Sequence, residues 1–142
     1  MIRTYSRHLW IGIAVLACNG DGGGPSSPDT LNVAGTWTET SQIVSNPCDL
    51  EFPGSLTGTV ELAQSGTQLS VLLDGEVVGT GTLNQSTGDF TLSGTLTEDG
   101  VTVTILQSGR FSSSTRYTSE TVLTFTSGSI TCTVRTNDTG SR

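Results

Sequence analysis

Acid–base chemistry in this chain falls to carboxylates alone. Of its 142 residues one is His (His8), none is Lys, and all six basic residues are Arg. A Ser, Thr or Cys nucleophile needs a neighbouring base, most often an imidazole or an amine. After residue 8 the chain offers neither. Carboxylates do occur in close pairs: Asp49 with Glu51, Asp74 with Glu76, and Glu98 with Asp99. Two of them held about 5–10 Å apart in a cleft would suit glycoside hydrolysis. At turns, however, Asp serves local geometry, and acidic edges discourage strand aggregation. The expectation is therefore no enzyme and no catalytic residue. Zinc wants four Cys, His or carboxylate ligands, and no segment matches the calcium loop of an EF-hand, so neither metal nor cofactor is expected.

The N-terminus has a different character. Arg3, Arg7 and His8 precede the apolar run Leu9–Leu16, which small Ala17 and then Cys18 follow. That run is well short of the roughly 20 residues a bilayer-spanning helix requires. It has the form of a secretory signal peptide over residues 1–17. Val15-Leu16-Ala17-Cys18 resembles the lipobox of bacterial lipoproteins, in which the cysteine is diacylated and becomes the first mature residue. The resemblance implies lipidation of Cys18 and a membrane partner reached through that lipid. Asn19 is not the Asp that favours inner-membrane retention in enterobacterial lipoproteins, so an outer-membrane site in the cell envelope is expected. Residues 19–29, rich in Gly, Pro and Ser, cannot bury apolar surface and form a tether together with residue 30.

With Cys18 given to lipid, Cys48 and Cys132 remain as a pair in an oxidising compartment, and a disulfide is favoured over a metal site. It would close about 85 residues and restrain the unfolded chain by roughly 4 kcal/mol. Past the leader, four Arg stand against thirteen Asp and Glu, a balance of −9. An acidic chain without a basic patch makes nucleic-acid binding a poor expectation.

From residue 31 to 137 the sequence has the composition of a sheet. Apolar content is only 33%, but Thr, Ser and Gly supply the rest and charged residues are just 13%, which suits half-buried strands rather than disorder. Alternating runs recur at 33–44, 56–63, 69–73, 77–83, 90–96, 101–106, 116–126 and 130–135, parted by turn signals such as Asp74-Gly75 and Asp99-Gly100. Eight short strands joined by tight turns form an antiparallel meander. The expected fold is all-β, a small eight-stranded antiparallel up-and-down barrel, with a two-sheet sandwich as the alternative. Residues 138–142 are expected to be a disordered tail.

Gly35-Thr36-Trp37, opening the first run, resembles the Gly-x-Trp start of lipocalin and wider calycin barrels. In that group the Trp plugs one barrel end beneath an Arg from the last strand, which implies Trp37 and Arg135 here. The Thr-Asp-Tyr type turn of lipocalins is not visible. Avidin-like barrels begin similarly but stack biotin with several Trp, and Trp37 is the only one outside the leader. An eight-stranded barrel can hold one small apolar ligand, here lined by Val71, Leu73, Phe90, Leu92, Ile105, Phe111, Tyr117 and Phe125. In that arrangement Phe111 and Tyr117 would line the mouth, with edge packing as their favoured alternative role. The alternative is a non-catalytic structural module with a filled core that meets an envelope protein.

Overall fold

The computed structural model describes residues 30–48, 51 and 53–142. The expected signal peptide, Cys18 and nearly all of the tether lie outside the described residues. Eight strands follow one another: β1 (Gly35–Ser45), β2 (Ser55–Ser65), β3 (Gln68–Leu73), β4 (Glu76–Leu83), β5 (Asp89–Glu98), β6 (Val101–Ser113), β7 (Arg116–Ser127) and β8 (Ile130–Ser141). Each pairs antiparallel with its chain neighbours, and β1 also pairs with β8, so the sheet closes on itself as a barrel. Closure excludes the sandwich.

Local chemistry explains the meander. At Asp74-Gly75 and Asp99-Gly100 both central residues take positive φ (52° and 82°, 50° and 78°), the mirror-image turn whose twist matches flanking strands. Strand alternation then sorts side chains to two faces. Outward Thr residues pair across strands, with Thr40 and Thr57 hydroxyls 3.1 Å apart and Thr97 and Thr102 likewise 3.1 Å. Inward residues fill the barrel.

Two expectations need correcting. Residues 107–113, outside the expected strand runs, belong to β6, and residues 138–141, expected as a disordered tail, complete β8. Both stretches lack apolar alternation because, apart from Phe111, their inward positions are polar or Gly. Their backbone is nevertheless paired throughout, β6 with β7 to Ser113 and β8 with β7 to Ser141.

The barrel has two unlike ends. At one, Trp37, Phe90, Phe111 and Tyr117 meet ring to ring, with centroids 4.7–5.6 Å apart. Val33, Leu62, Leu69 and Leu83 pack with them into the core. The segment before β1 closes this end from below. Val33 donates to Gln64 Oε1 (2.7 Å), and Gln64 Nε2 returns a bond to the Leu31 carbonyl (2.9 Å). The opposite end carries the hairpins at residues 74–75, 99–100 and 128, and the segment between β1 and β2.

Candidate functional site

Above the aromatic floor lies a cavity of about 220 Å³ to which all eight strands contribute. Its apolar wall includes Val60, Val71, Leu92, Ile105 and Leu123, and Leu56, 40% exposed, carries that wall up to the open rim. One side is polar. Glu39, Ser41, Gln107, Thr121 and Thr136 reach the cavity from β1, β6, β7 and β8.

Glu39 organises this side. Its Oε2 accepts hydrogen bonds from the Tyr117 hydroxyl and from Gln107 Nε2 (2.8 Å). Burial pushes the carboxyl above its ordinary value, and the nearby charge of Asp138 adds to that, against the two hydrogen bonds. Burial and the Glu39 charge likewise raise the Tyr117 phenol, so it stays a donor. Asp138 sits behind, 2% exposed, and takes hydrogen bonds from Thr121 (2.6 Å), Thr136 (2.8 Å) and Ser119 (3.3 Å) hydroxyls. Hydroxyls and one amide thus solvate two interior carboxylates without a protein cation.

The cations lie elsewhere. Arg110 pairs with Asp89 at 2.6 Å and Arg135 with Glu120 at 2.9 Å, all on the outer surface. Arg142 lies over the Trp37 ring at 5.1 Å. It also donates to the carbonyls of Ser114 (2.6 Å), Asn32 (3.0 Å) and Ala34, tying the β6–β7 turn to the segment before β1 across the closed end.

The plug therefore differs from expectation: Trp37 is fully buried as foreseen, but its covering guanidinium is Arg142, not Arg135. Continuing the β1–β8 register past Thr38–Ser141 sets residue 142 opposite Trp37. Arg135 pairs opposite Ser45, seven residues away or about 23 Å along the strand, and points outward. Parity carried the signal, since Arg142 shares the inward phase of Val134 and Arg135 does not.

Of the expected pocket residues, Val71, Phe90, Leu92, Ile105, Phe111 and Tyr117 line the cavity. Leu73 and Phe125 do not: Leu73 ends β3 at the rim, 39% exposed, and Phe125 stands near the open end of β7. Phe111 and Tyr117 belong to the aromatic floor, not to a mouth. The polar cavity residues Glu39, Gln107, Thr121 and Thr136 carry no apolar signal that marks them as interior in the sequence. Glu39, two positions after Trp37 on β1, had the right phase to be found.

Cys48 and Cys132 form a disulfide with Cα atoms 5.5 Å apart. Cys132 has the inward phase of β8 near its open end, so the bridge holds the segment after β1 against the lip of the barrel. Of the carboxylate pairs weighed for catalysis, Asp74 with Glu76 and Glu98 with Asp99 sit at turns of the open end and do not line the cavity, while Asp49 lies outside the described residues. Comparison with known protein families, with curated proteins and with solved structures returned no match.

Proposed function

We propose that this chain is a lipid-anchored envelope protein whose lipocalin-like barrel binds a small apolar ligand. The observation that carries the reading is the interior cavity, floored by packed aromatics and walled by aliphatic side chains up to an exposed rim. A volume near 220 Å³ is below the range of about 300–1,000 Å³ common for drug-sized ligands. It equals about seven waters of liquid volume, which suits a compound of roughly ten non-hydrogen atoms. Binding, not catalysis, is the role proposed for the interior.

The anchor belongs to the same proposal. Because β1 starts at the closed end, a chain lipidated at Cys18 enters the barrel from its sealed side. Residues 18–30, with a reach of roughly 20 Å, would then stand the barrel off an outer-membrane leaflet with its mouth turned away. A second reading, a module that meets an envelope protein, draws on the exposed rim side chains Val44, Val77 and Ile130.

Native mass spectrometry of the chain purified from its host envelope tests the first reading. Co-purified small molecules released on denaturation are the expected result. An adduct-free chain that also fails to take up added amphiphiles would overturn it.

A further inference from the structure

We propose that the cavity ligand is a small amine, its ammonium head against Glu39 and its hydrocarbon body among Val60, Val71, Leu92 and Ile105. The inference rests on the ligand-binding reading above and specifies its chemistry. Three independent features support it.

Glu39 is a cavity-lining carboxylate whose two hydrogen bonds among the described residues both fall on Oε2. That leaves Oε1 for a ligand donor. A buried charge persists where it is paired and hydrogen-bonded, and here the second carboxylate behind it, Asp138, makes the site still shorter of positive charge. Among the described residues nothing supplies it: they hold no Lys and no His, and their four Arg lie on the outer surface or at the closed end.

Charge is also distributed along the barrel axis. Asp74, Glu76, Glu98 and Asp99 fringe the open end, whereas Arg110, Arg116 and Arg142 cluster around the closed one. Acidic groups about a low-dielectric opening concentrate field lines there and raise the local concentration of cations. Arg135, the one described Arg outside that cluster, is paired with Glu120, so an anion approaching the mouth meets mainly repulsion.

The third feature is the match of shape to polarity. An aliphatic wall faces a polar side, so a ligand must carry both characters, and the volume admits a chain of about eight carbons with one head group. Tyr117 and Gln107 hold the carboxylate in place before the ligand arrives, which lowers the ordering cost on binding.

The test is calorimetric titration of the purified full chain at neutral pH with three probes of equal length: octylamine, 1-octanol and octanoate. The Glu39→Gln variant is titrated beside it and checked for its fold by circular dichroism. Octylamine is expected to bind at least tenfold more tightly than octanol, with no detectable octanoate binding. The variant should lose at least tenfold for the amine while octanol is unchanged. Equal binding of amine and alcohol, or an amine affinity unmoved by Glu39→Gln, would show that Glu39 simply keeps its own proton and would overturn the assignment while leaving the apolar cavity intact. Preference for octanoate overturns it too. If none of the three binds, the ligand-binding reading itself fails.

Discussion

A carboxylate inside a small barrel has a measurable consequence at the scale of one residue. Glu39 holds its proton more tightly in the folded chain than at its ordinary value of 4.5, chiefly because burial penalises the anion. The ionisable groups facing it are Tyr117 on β7 and Asp138 on β8. Since the native state binds the extra proton, the Glu39 contribution to stability is fully present below the ordinary value. It is lost as pH rises through the raised one. The thermal midpoint of the wild type should therefore fall relative to that of Glu39→Gln as pH rises from below 4.5 through the raised value. Melting curves across that window check this. A common slope for the two proteins would mean that burial does not raise the carboxyl. An interior group that reduces stability at neutral pH is what a binding site would retain, and it gives the titration with amines an independent companion.

At the scale of the strand, the middle of the barrel departs from the apolar-in, polar-out rule. Along β7 the inward positions run Tyr117, Ser119, Thr121, Leu123 and Phe125, and along β8 Val134, Thr136, Asp138 and Gly140. Each begins or ends apolar and turns polar where the carboxylates sit. Gly140 shows how tightly the closed end is packed, because a methyl group there would run into the Tyr117 ring. Gly58 on β2 is the natural control, with open space around the same position. Gly140→Ala is expected to cost about 1–3 kcal/mol through overpacking, and Gly58→Ala less than about 0.5 kcal/mol. Urea denaturation measures both. Equal losses would show that strand propensity governs, not contact with Tyr117.

For the molecule as a whole, closure depends on β1 meeting β8, the contact between residues farthest apart in sequence. The backbone ladder and the Cys48–Cys132 bridge, 84 residues apart, secure it together. Replacing both cysteines by Ala should lower stability by about 2–5 kcal/mol. For a domain of this size that is a fall of roughly 10–30 °C in Tm, measurable by calorimetry. A shift of a degree or two would mean that the ladder secures closure without help from the bridge. Closure also makes the interior possible, because strands distant in sequence, β1 and β6, bring Glu39 and Gln107 together only once the ring is complete.

Strand number, antiparallel order and the hairpin turns were all legible in the linear chain, because period-two alternation and Asp-Gly turn chemistry act over a few residues. The ring itself was also within reach, since eight meandering strands leave little else to do with their edges. The guanidinium above Trp37, the aromatic rings at the sealed end and the carboxylate in the cavity were settled by register. A shift of a few residues between β1 and β8 would put a different Arg over the indole, and no local pattern measures that shift. Polar interior positions were hidden for a related reason: hydroxyls and carboxylates look like surface until the strands that satisfy them are packed around them.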